Sequence, residues 1–271
     1  MKYFHRLGSM TWHAVAQLVR APTHSRRAQA RQRLARRWLV GIAVCSLAIA
    51  VLMFVFDAGA IALMPVRGAP ELSPLRVLTD FGKSAYMLDA LGFVLIAVLL
   101  IAPAMHGAAQ SLLIGFGRRV QFLFLAVLLP VLAGEIIKGI VGRGRPFVGG
   151  AANPFNYSHF AWSEAYASFP SGHAIAAFAL AFAVSAVWPR LQVVMWVYAI
   201  VIALTRLVLL AHHPSDVVAG ALLGMTGAMA VRYWFAARHL VFTIGREGEV
   251  KPLAGPSFQH LKRVAQGPFA P

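Results

Sequence analysis

The stretch TRLVLLAHHPSD, residues 205–216, sets one arginine inside an apolar run and ends that run with two histidines and an aspartate. An ionisable side chain within a membrane costs about 2.5 kcal/mol or more when it has no partner, so it marks a functional site by default. The stretch therefore predicts that other parts of the fold hold the charge of Arg206 close to the two histidines.

The composition of the 271-residue chain is typical of a polytopic membrane protein. Hydrophobic residues make up 59% and charged residues 13%, and the mean hydropathy is +0.68. A soluble fold of this size needs far more surface charge. The net charge of +16 sits mainly at the two ends without a nucleic-acid-binding signature, so we expect no nucleic-acid partner. Cys45 is the only cysteine, which excludes an intrachain disulfide.

Six apolar runs are each long enough to cross a bilayer, which takes about 20 residues. They predict an all-α bundle of six transmembrane helices. A tight turn at residues 188–190 joins the fourth run to the fifth, and the region of Pro214 joins the fifth to the sixth. The runs are residues 38–56, 86–105, 120–140, 171–188, 191–211 and 216–235.

The distribution of Lys and Arg favours a cytoplasmic N-terminus. This topology leaves 18 of the 25 basic residues on the cytoplasmic side and 7 outside, as the positive-inside rule requires. Four of the seven outer residues belong to or adjoin the polar clusters described next. We therefore expect a bacterial cytoplasmic membrane protein whose site faces the periplasm.

The chain divides into a basic arm at residues 1–37, a membrane domain at residues 38–237 and a tail at residues 238–271. The arm carries nine Lys and Arg and no acid. Its segment SMTWHAVAQLVRA fits either an amphipathic helix on anionic lipid or a disordered basic arm. The tail has no periodic apolar pattern, so we expect it to be a mobile cytoplasmic extension.

Polar residues gather at the outer ends of the third, fourth and fifth predicted helices, although they lie far apart in the sequence. The predicted topology brings them to one depth at one membrane face. They are Lys138, Arg145, Ser171, Gly172, His173, Arg206, His212 and Asp216.

These residue types suit a phosphate group. Arg145 and Arg206 offer planar forks that match phosphate oxygens, and Lys138 adds a third cation. The run Pro170-Ser171-Gly172 is predicted to place free backbone N–H groups at a helix N-terminus, where the helix dipole also favours an anion. Glycine there lets the phosphate approach the main chain closely.

Two histidines supply what phosphate transfer needs, a nucleophile and an acid for the leaving oxygen. Asp216 is placed to hold an N–H group of His212 and so aim its other ring nitrogen at phosphorus. Helical spacing does not choose between His212 and His213, because Asp216 lies four residues after one and three after the other.

Three motifs in order now identify a resemblance. Lys138 with Arg145-Pro146, then PSGH at residues 170–173, then Arg206 with His212 and Asp216, resemble the three-part signature of the type 2 phosphatidic acid phosphatase (PAP2) superfamily. The resemblance covers about residues 79–235. It implies a six-helix membrane bundle that removes phosphate from lipids through a phosphohistidine, without a metal or other cofactor.

The resemblance also implies residue roles. His212 would be the nucleophile, Asp216 would orient it, and His173 would protonate the leaving group. The remaining five candidates, Lys138, Arg145, Ser171, Gly172 and Arg206, would bind the phosphate. The chain departs from the signature twice: Thr205 stands where the family usually has serine, and His213 stands where an aromatic residue is common.

Other polar and small residues are interpreted as structural. The motif uses Arg145 and leaves Arg143 free, and Glu135 lies one turn before Lys138 as a candidate ion-pair partner. Gly220 and Gly224 predict close helix packing.

The substrate is predicted only as a class, a phosphorylated membrane lipid whose headgroup is selected by the loop at residues 147–170. The resemblance points to undecaprenyl pyrophosphate, phosphatidylglycerol phosphate, phosphatidate or the 1-phosphate of lipid A. A phosphotransferase would use the same residues. A transporter is disfavoured, because the charges gather at one face and no paired discontinuous helices occur in the sequence. The oligomeric state stays open.

Overall fold

A computed structural model describes residues 2–21, 40–150, 153–245 and 248–253 of the chain. The described part is almost entirely helical, and one short β-hairpin follows the last helix. The helices are α1 (Lys2–Val19), α2 (Val40–Ala62, with a π-helical turn at Leu52–Phe56), α3 (Ser73–Asp80), α4 (Ser84–Ile101), α5 (Gly107–Val141), α6 (Gly172–Val187), α7 (Gln192–Val208) and α8 (Pro214–Ala237).

Five helical stretches of the described chain are long and apolar enough to cross a membrane. A sixth apolar helix, α6, has only 16 residues. The predicted all-α membrane bundle is confirmed, whereas the count of six spans and the cytoplasmic N-terminus stay predictions. The first two residues of the predicted first span, 38 and 39, lie outside the described residues. The five stretches are Val40–Ala62, Pro70–Ala104, Gly107–Val141, Pro189–Val208 and Pro214–Ala237.

Two helices are longer than the apolar runs that predicted them. α5 begins at Gly107, 13 residues before the predicted start at residue 120, and α2 continues to Ala62 rather than ending at residue 56. Hydropathy marks where a helix leaves the bilayer, but its backbone hydrogen bonds continue until a breaking residue stops them. Residues 107–119 contain no proline, so the charged pair Arg118 and Arg119 does not end the helix.

The short helix α6 occupies the centre of the bundle and packs against α5, α7 and α8. Small side chains make this possible, because fully buried alanines line α6. On α8, a Cβ atom at Gly220 or Gly224 would collide with the carbonyl oxygens of Ser171 and Ile175. These glycines therefore permit close helix packing, as the sequence predicted.

The N-terminal segment is an amphipathic helix rather than a disordered arm over residues 2–19, and its contact with anionic lipid stays a prediction. It packs on the ends of α4 and α8. The Tyr3 hydroxyl donates to the carbonyl of Leu100 over 2.7 Å, and the Trp234 indole N–H donates to the carbonyl of Leu18 over 3.0 Å. Residues 22–37 of the predicted arm lie outside the described residues.

The prediction of a mobile tail is wrong for two short strands, β1 (Phe242–Ile244) and β2 (Val250–Pro252), which pair in antiparallel orientation. Phe242 is fully buried, and its ring centroid lies 4.8 Å from that of Phe122 in α5. Strands of three residues are too short to show a period, so no hydropathy pattern marked them. Residues 254–271 lie outside the described residues.

Candidate active site

The loop between α5 and α6 is held against the end of α5 by backbone hydrogen bonds. Gly142 ends α5 with a φ of 57°, and a Cβ atom there would collide with the carbonyl of Ser158. The Ser158 N–H donates to the carbonyl of Gly142, and the Ser168 N–H donates to the carbonyl of Arg143 over 3.0 Å. These bonds place Ser168 beside the turn that carries His212.

His212 is buried in the turn between α7 and α8, and its Nδ1 lies 2.8 Å from the carbonyl oxygen of Ser168. A carbonyl only accepts hydrogen bonds, so Nδ1 carries the proton and Nε2 keeps a free lone pair. Burial lowers the pKa of His212 well below its ordinary value; the Asp216 carboxylate opposes this shift, and the charges of Arg206 and Arg145 add to it. The ring is therefore neutral at pH 7.

Asp216 holds His213 rather than His212, which corrects the predicted hydrogen bond. Its Oδ2 accepts from the backbone N–H of His213 over 2.8 Å, and His213 Nδ1 lies 3.1 Å from the same oxygen. The Ser168 hydroxyl also donates to Oδ2, over 2.6 Å. Asp216 thus reaches His212 indirectly, through the residue whose carbonyl holds the His212 ring.

Arg143 is fully buried and binds two carboxylates, in keeping with its interpretation as a structural residue. Its NH1 lies 2.6 Å from Asp216 Oδ1 and its NH2 lies 2.8 Å from Asp57 Oδ2. Asp57 also accepts from the backbone N–H and hydroxyl of Ser215. Sequence reasoning missed Asp57, Ser168 and Ser215; the one available signal was an acid placed directly after the first predicted span.

Four polar atoms of the predicted site are buried and have no hydrogen-bond partner among the described residues. They come from three different stretches of chain, and two of them are guanidinium nitrogens. Buried polar atoms are nearly always paired in folded proteins, so this group is suited to a polar ligand. The atoms are Arg145 Nε, Ser171 Oγ, His173 Nε2 and Arg206 Nε.

Lys138 lies over Gly172, since a Cβ atom at Gly172 would be 2.8 Å from the Lys138 ammonium. Lys138 also pairs with Glu135, as the spacing predicted. The Ser171 N–H is not free as expected, because it donates to the carbonyl of Asp216 over 3.0 Å. The open N–H groups of α6 therefore begin at Gly172, the first helical residue.

The cationic candidates lie close enough to the two histidine rings to interact with them electrostatically. Arg206 and Arg145 act on the ring of His212, while Arg206 and Lys138 act on the ring of His173. The structure thus brings the eight predicted residues together at one end of the bundle. No three His, Cys, Asp or Glu side chains group as metal ligands in the described ranges.

Arg206 is itself held by a residue of α3, which precedes the second predicted span. Its NH1 donates to Thr79 Oγ1 over 2.8 Å, and the Thr205 hydroxyl lies 3.0 Å from the same oxygen.

We expect Thr79→Val to lower kcat/KM about 10-fold, because a hydrogen bond to a charged group contributes roughly 1.5–3 kcal/mol. Thr79→Ser keeps the hydroxyl and should retain activity. Equal kcat/KM values for the two variants would contradict this role.

Comparison with known proteins identifies the family of the chain. The PAP2 superfamily model matches residues 119–240. A lipid A 1-phosphatase of Rhizobium etli is 30% identical over 84% of this chain and 97% of its own length, and one of Rhizobium johnstonii is 31% identical over 78% and 86%. A transmembrane PAP2-type phosphatidylglycerolphosphate phosphatase of Bacillus subtilis superposes with a TM-score of 0.48 and 18% identity, covering 71% of this chain and 94% of its own. The chain belongs to the PAP2 superfamily and is a membrane-integral phosphoric ester hydrolase.

Proposed function

We propose that the chain removes the 1-phosphate of lipid A at the periplasmic face of the bacterial inner membrane. The observation that carries the proposal is the set of four buried, unpartnered polar atoms, two of them on arginines that match phosphate oxygens. The named activity of the two Rhizobium relatives favours lipid A over the other three candidate lipids.

The proposed first step transfers the phosphoryl group to His212. Its Nε2 lone pair attacks phosphorus while the bond to the leaving lipid oxygen breaks. The bound phosphate dianion offsets the positive charges of Arg206 and Lys138 beside His173, so that this ring can carry a proton. His173 gives that proton to the leaving oxygen through Nε2, which has no partner in the described part of the chain. Lys138, Arg145 and Arg206 neutralise the charge on the phosphoryl oxygens.

The second step releases phosphate. His173, now neutral, takes a proton from a water molecule as that water attacks phosphorus, and the bond from phosphorus to His212 Nε2 breaks. His212 returns to its neutral form and inorganic phosphate leaves. The carbonyl of Ser168 fixes the same tautomer of His212 throughout, since it continues to accept from Nδ1.

The deciding experiment is phosphate release by the purified protein from four lipids: lipid A 1-phosphate, undecaprenyl pyrophosphate, phosphatidylglycerol phosphate and phosphatidate. We expect the highest kcat/KM with lipid A 1-phosphate. Transfer of labelled phosphate to an added lipid in place of water would establish the phosphotransferase alternative. A clear preference for another lipid would overturn the substrate assignment alone.

The lowered pKa of His212 predicts the pH dependence of the reaction. The free histidine pKa is about 6.5, and burial shifts that of His212 below it. The ring therefore stays neutral and nucleophilic as pH falls through 6.5, so the acid limb of kcat/KM should lie below that pH. Phosphorus NMR of the substrate alone measures its own ionisation as the control. An acid limb of enzyme origin above pH 6.5 would be inconsistent with a buried nucleophile.

A further inference from the structure

Asp57 lies in α2, which contributes none of the residues of the three PAP2 motifs. It is fully buried, and the partners of its carboxylate among the described residues, Ser215 and Arg143, adjoin the proposed site. The oxygens accept from the Ser215 backbone N–H over 3.0 Å, from the Ser215 hydroxyl, and from Arg143 NH2 over 2.8 Å. These contacts tie α2 to the first turn of α8.

A chain of buried hydrogen bonds connects Asp57 to the proposed nucleophile. Arg143 joins Asp57 to Asp216, and Asp216 accepts from the Ser168 hydroxyl over 2.6 Å. The carbonyl of Ser168 then accepts from His212 Nδ1 over 2.8 Å. Hydrogen bonds in a low-dielectric interior are strong and reinforce one another, so this chain restricts the orientation of the His212 ring.

The helix geometry beside Asp57 is a second, independent observation. The π-helical turn Leu52–Phe56 ends directly before Asp57. A π-turn inserts an extra residue and rotates everything that follows it around the helix axis, and such turns occur frequently at functional sites. In α2 the turn comes directly before Asp57, and this part of the helix contacts α8.

We propose that Asp57 is a positioning residue for the phosphatase reaction. It fixes Arg143, and through Asp216 and Ser168 it holds Nε2 of His212 in line with phosphorus. The inference rests on the proposed function. Asp57 does not touch the phosphate, so it acts on the rate of the chemical step rather than on lipid binding.

The test compares Asp57→Asn and Asp57→Glu with Asp89→Asn, which removes an exposed acid from α4. Rates are divided by the amount of monodisperse, folded protein. A misplacement of about 1 Å costs roughly 100-fold, so kcat of Asp57→Asn should fall about 100-fold. Its KM should change little, Asp57→Glu should recover part of the rate, and Asp89→Asn should match wild type.

Two results would overturn the role of Asp57. One is a kcat of Asp57→Asn equal to that of wild type. The other is a loss of total activity that disappears when the rate is divided by the amount of folded protein. Failure of the proposed function looks different, because wild type would then release no more phosphate from any lipid than His212→Ala does.

A separate observation concerns α1, whose surface divides into three faces. One face packs on the protein through Tyr3 and Leu18. A second face is polar and basic. No acidic residue reduces its positive charge, because the first 37 residues contain no Asp or Glu. The third is apolar and 50–74% exposed, since no described residue covers it. Its members are Phe4, Trp12, Val15 and Val19.

We infer that this third face lies in the boundary between headgroups and acyl chains of the inner leaflet, with anionic lipids against the adjoining basic face. α1 packs on the ends of membrane-crossing helices, at Leu100 and Trp234. Its apolar face therefore continues their lipid-facing surface, and its positive charge complements anionic headgroups.

The test places a fluorescent label at position 12 or 13 through Trp12→Cys or His13→Cys, each combined with Cys45→Ser, in nanodiscs. Successive helical residues lie about 100° apart, so only the label at position 12 should be quenched by acyl-chain-brominated lipids. Anionic phosphatidylglycerol should strengthen that quenching relative to neutral phosphatidylcholine. Equal quenching at both positions, or a label at 12 shielded from lipid by protein, would refute the lipid contact.

Discussion

His212→Ala should abolish phosphate release, with an expected loss of at least about 10⁴-fold in kcat. The reason is the ring geometry: Nδ1 donates to the carbonyl of Ser168, so Nε2 is the lone pair left for attack on phosphorus. Alanine removes that lone pair and only one neutral hydrogen bond. The protein should therefore stay folded, which a monodisperse peak and a nearly unchanged melting temperature in detergent would establish.

His213→Phe is the matched control, since it changes the next residue and introduces an aromatic ring. His213 Nδ1 faces Asp216 rather than the proposed phosphate site, so its loss removes support from Asp216 without removing the nucleophile. We expect kcat of this variant to stay within about 10-fold of wild type, in line with the loss of one hydrogen bond. An active His212→Ala and an inactive His213→Phe would reverse the assignment.

The contact between Asp216 and His213 shows where sequence spacing stops being informative. Positions three and four residues apart both share a helical face, so the sequence allowed either histidine. The start of α8 decides between them. His213 is the N-cap residue and Asp216 occupies the third helical position, so the carboxylate turns back to the N-cap backbone in a capping box.

The candidate site residues could be recognised in the sequence because their order and spacing are local properties of the chain; their role in binding phosphate stays a prediction. The support for them could not be recognised in this way. Arg143 and Asp57 are 86 residues apart, and no periodic sequence pattern indicates that they form an ion pair. Thr79 meets Arg206 across 127 residues. Such contacts follow from how α2, α3 and α7 pack, which hydropathy does not specify.

Arg143→Met should destabilise the protein strongly. The variant leaves the carboxylates of Asp57 and Asp216 fully buried without their cation. Breaking a buried ion pair by removing one partner costs about 3–5 kcal/mol, and about 1 kcal/mol shifts the melting temperature by roughly 2–4 °C in a protein of this size. We therefore expect melting in detergent about 10 °C lower.

Arg145→Met, two residues further on, is the natural comparison. Arg145 is partly exposed and its ion-pair partner Glu164 lies largely in solvent, so this contact contributes little to stability. The variant should melt close to wild type yet lose most phosphatase activity, because the phosphate loses a guanidinium. Adding Asp57→Asn to Arg143→Met removes one of the stranded carboxylates and should restore part of the lost stability. If Arg143→Met and Arg145→Met have the same melting temperature, the buried network does not stabilise this fold.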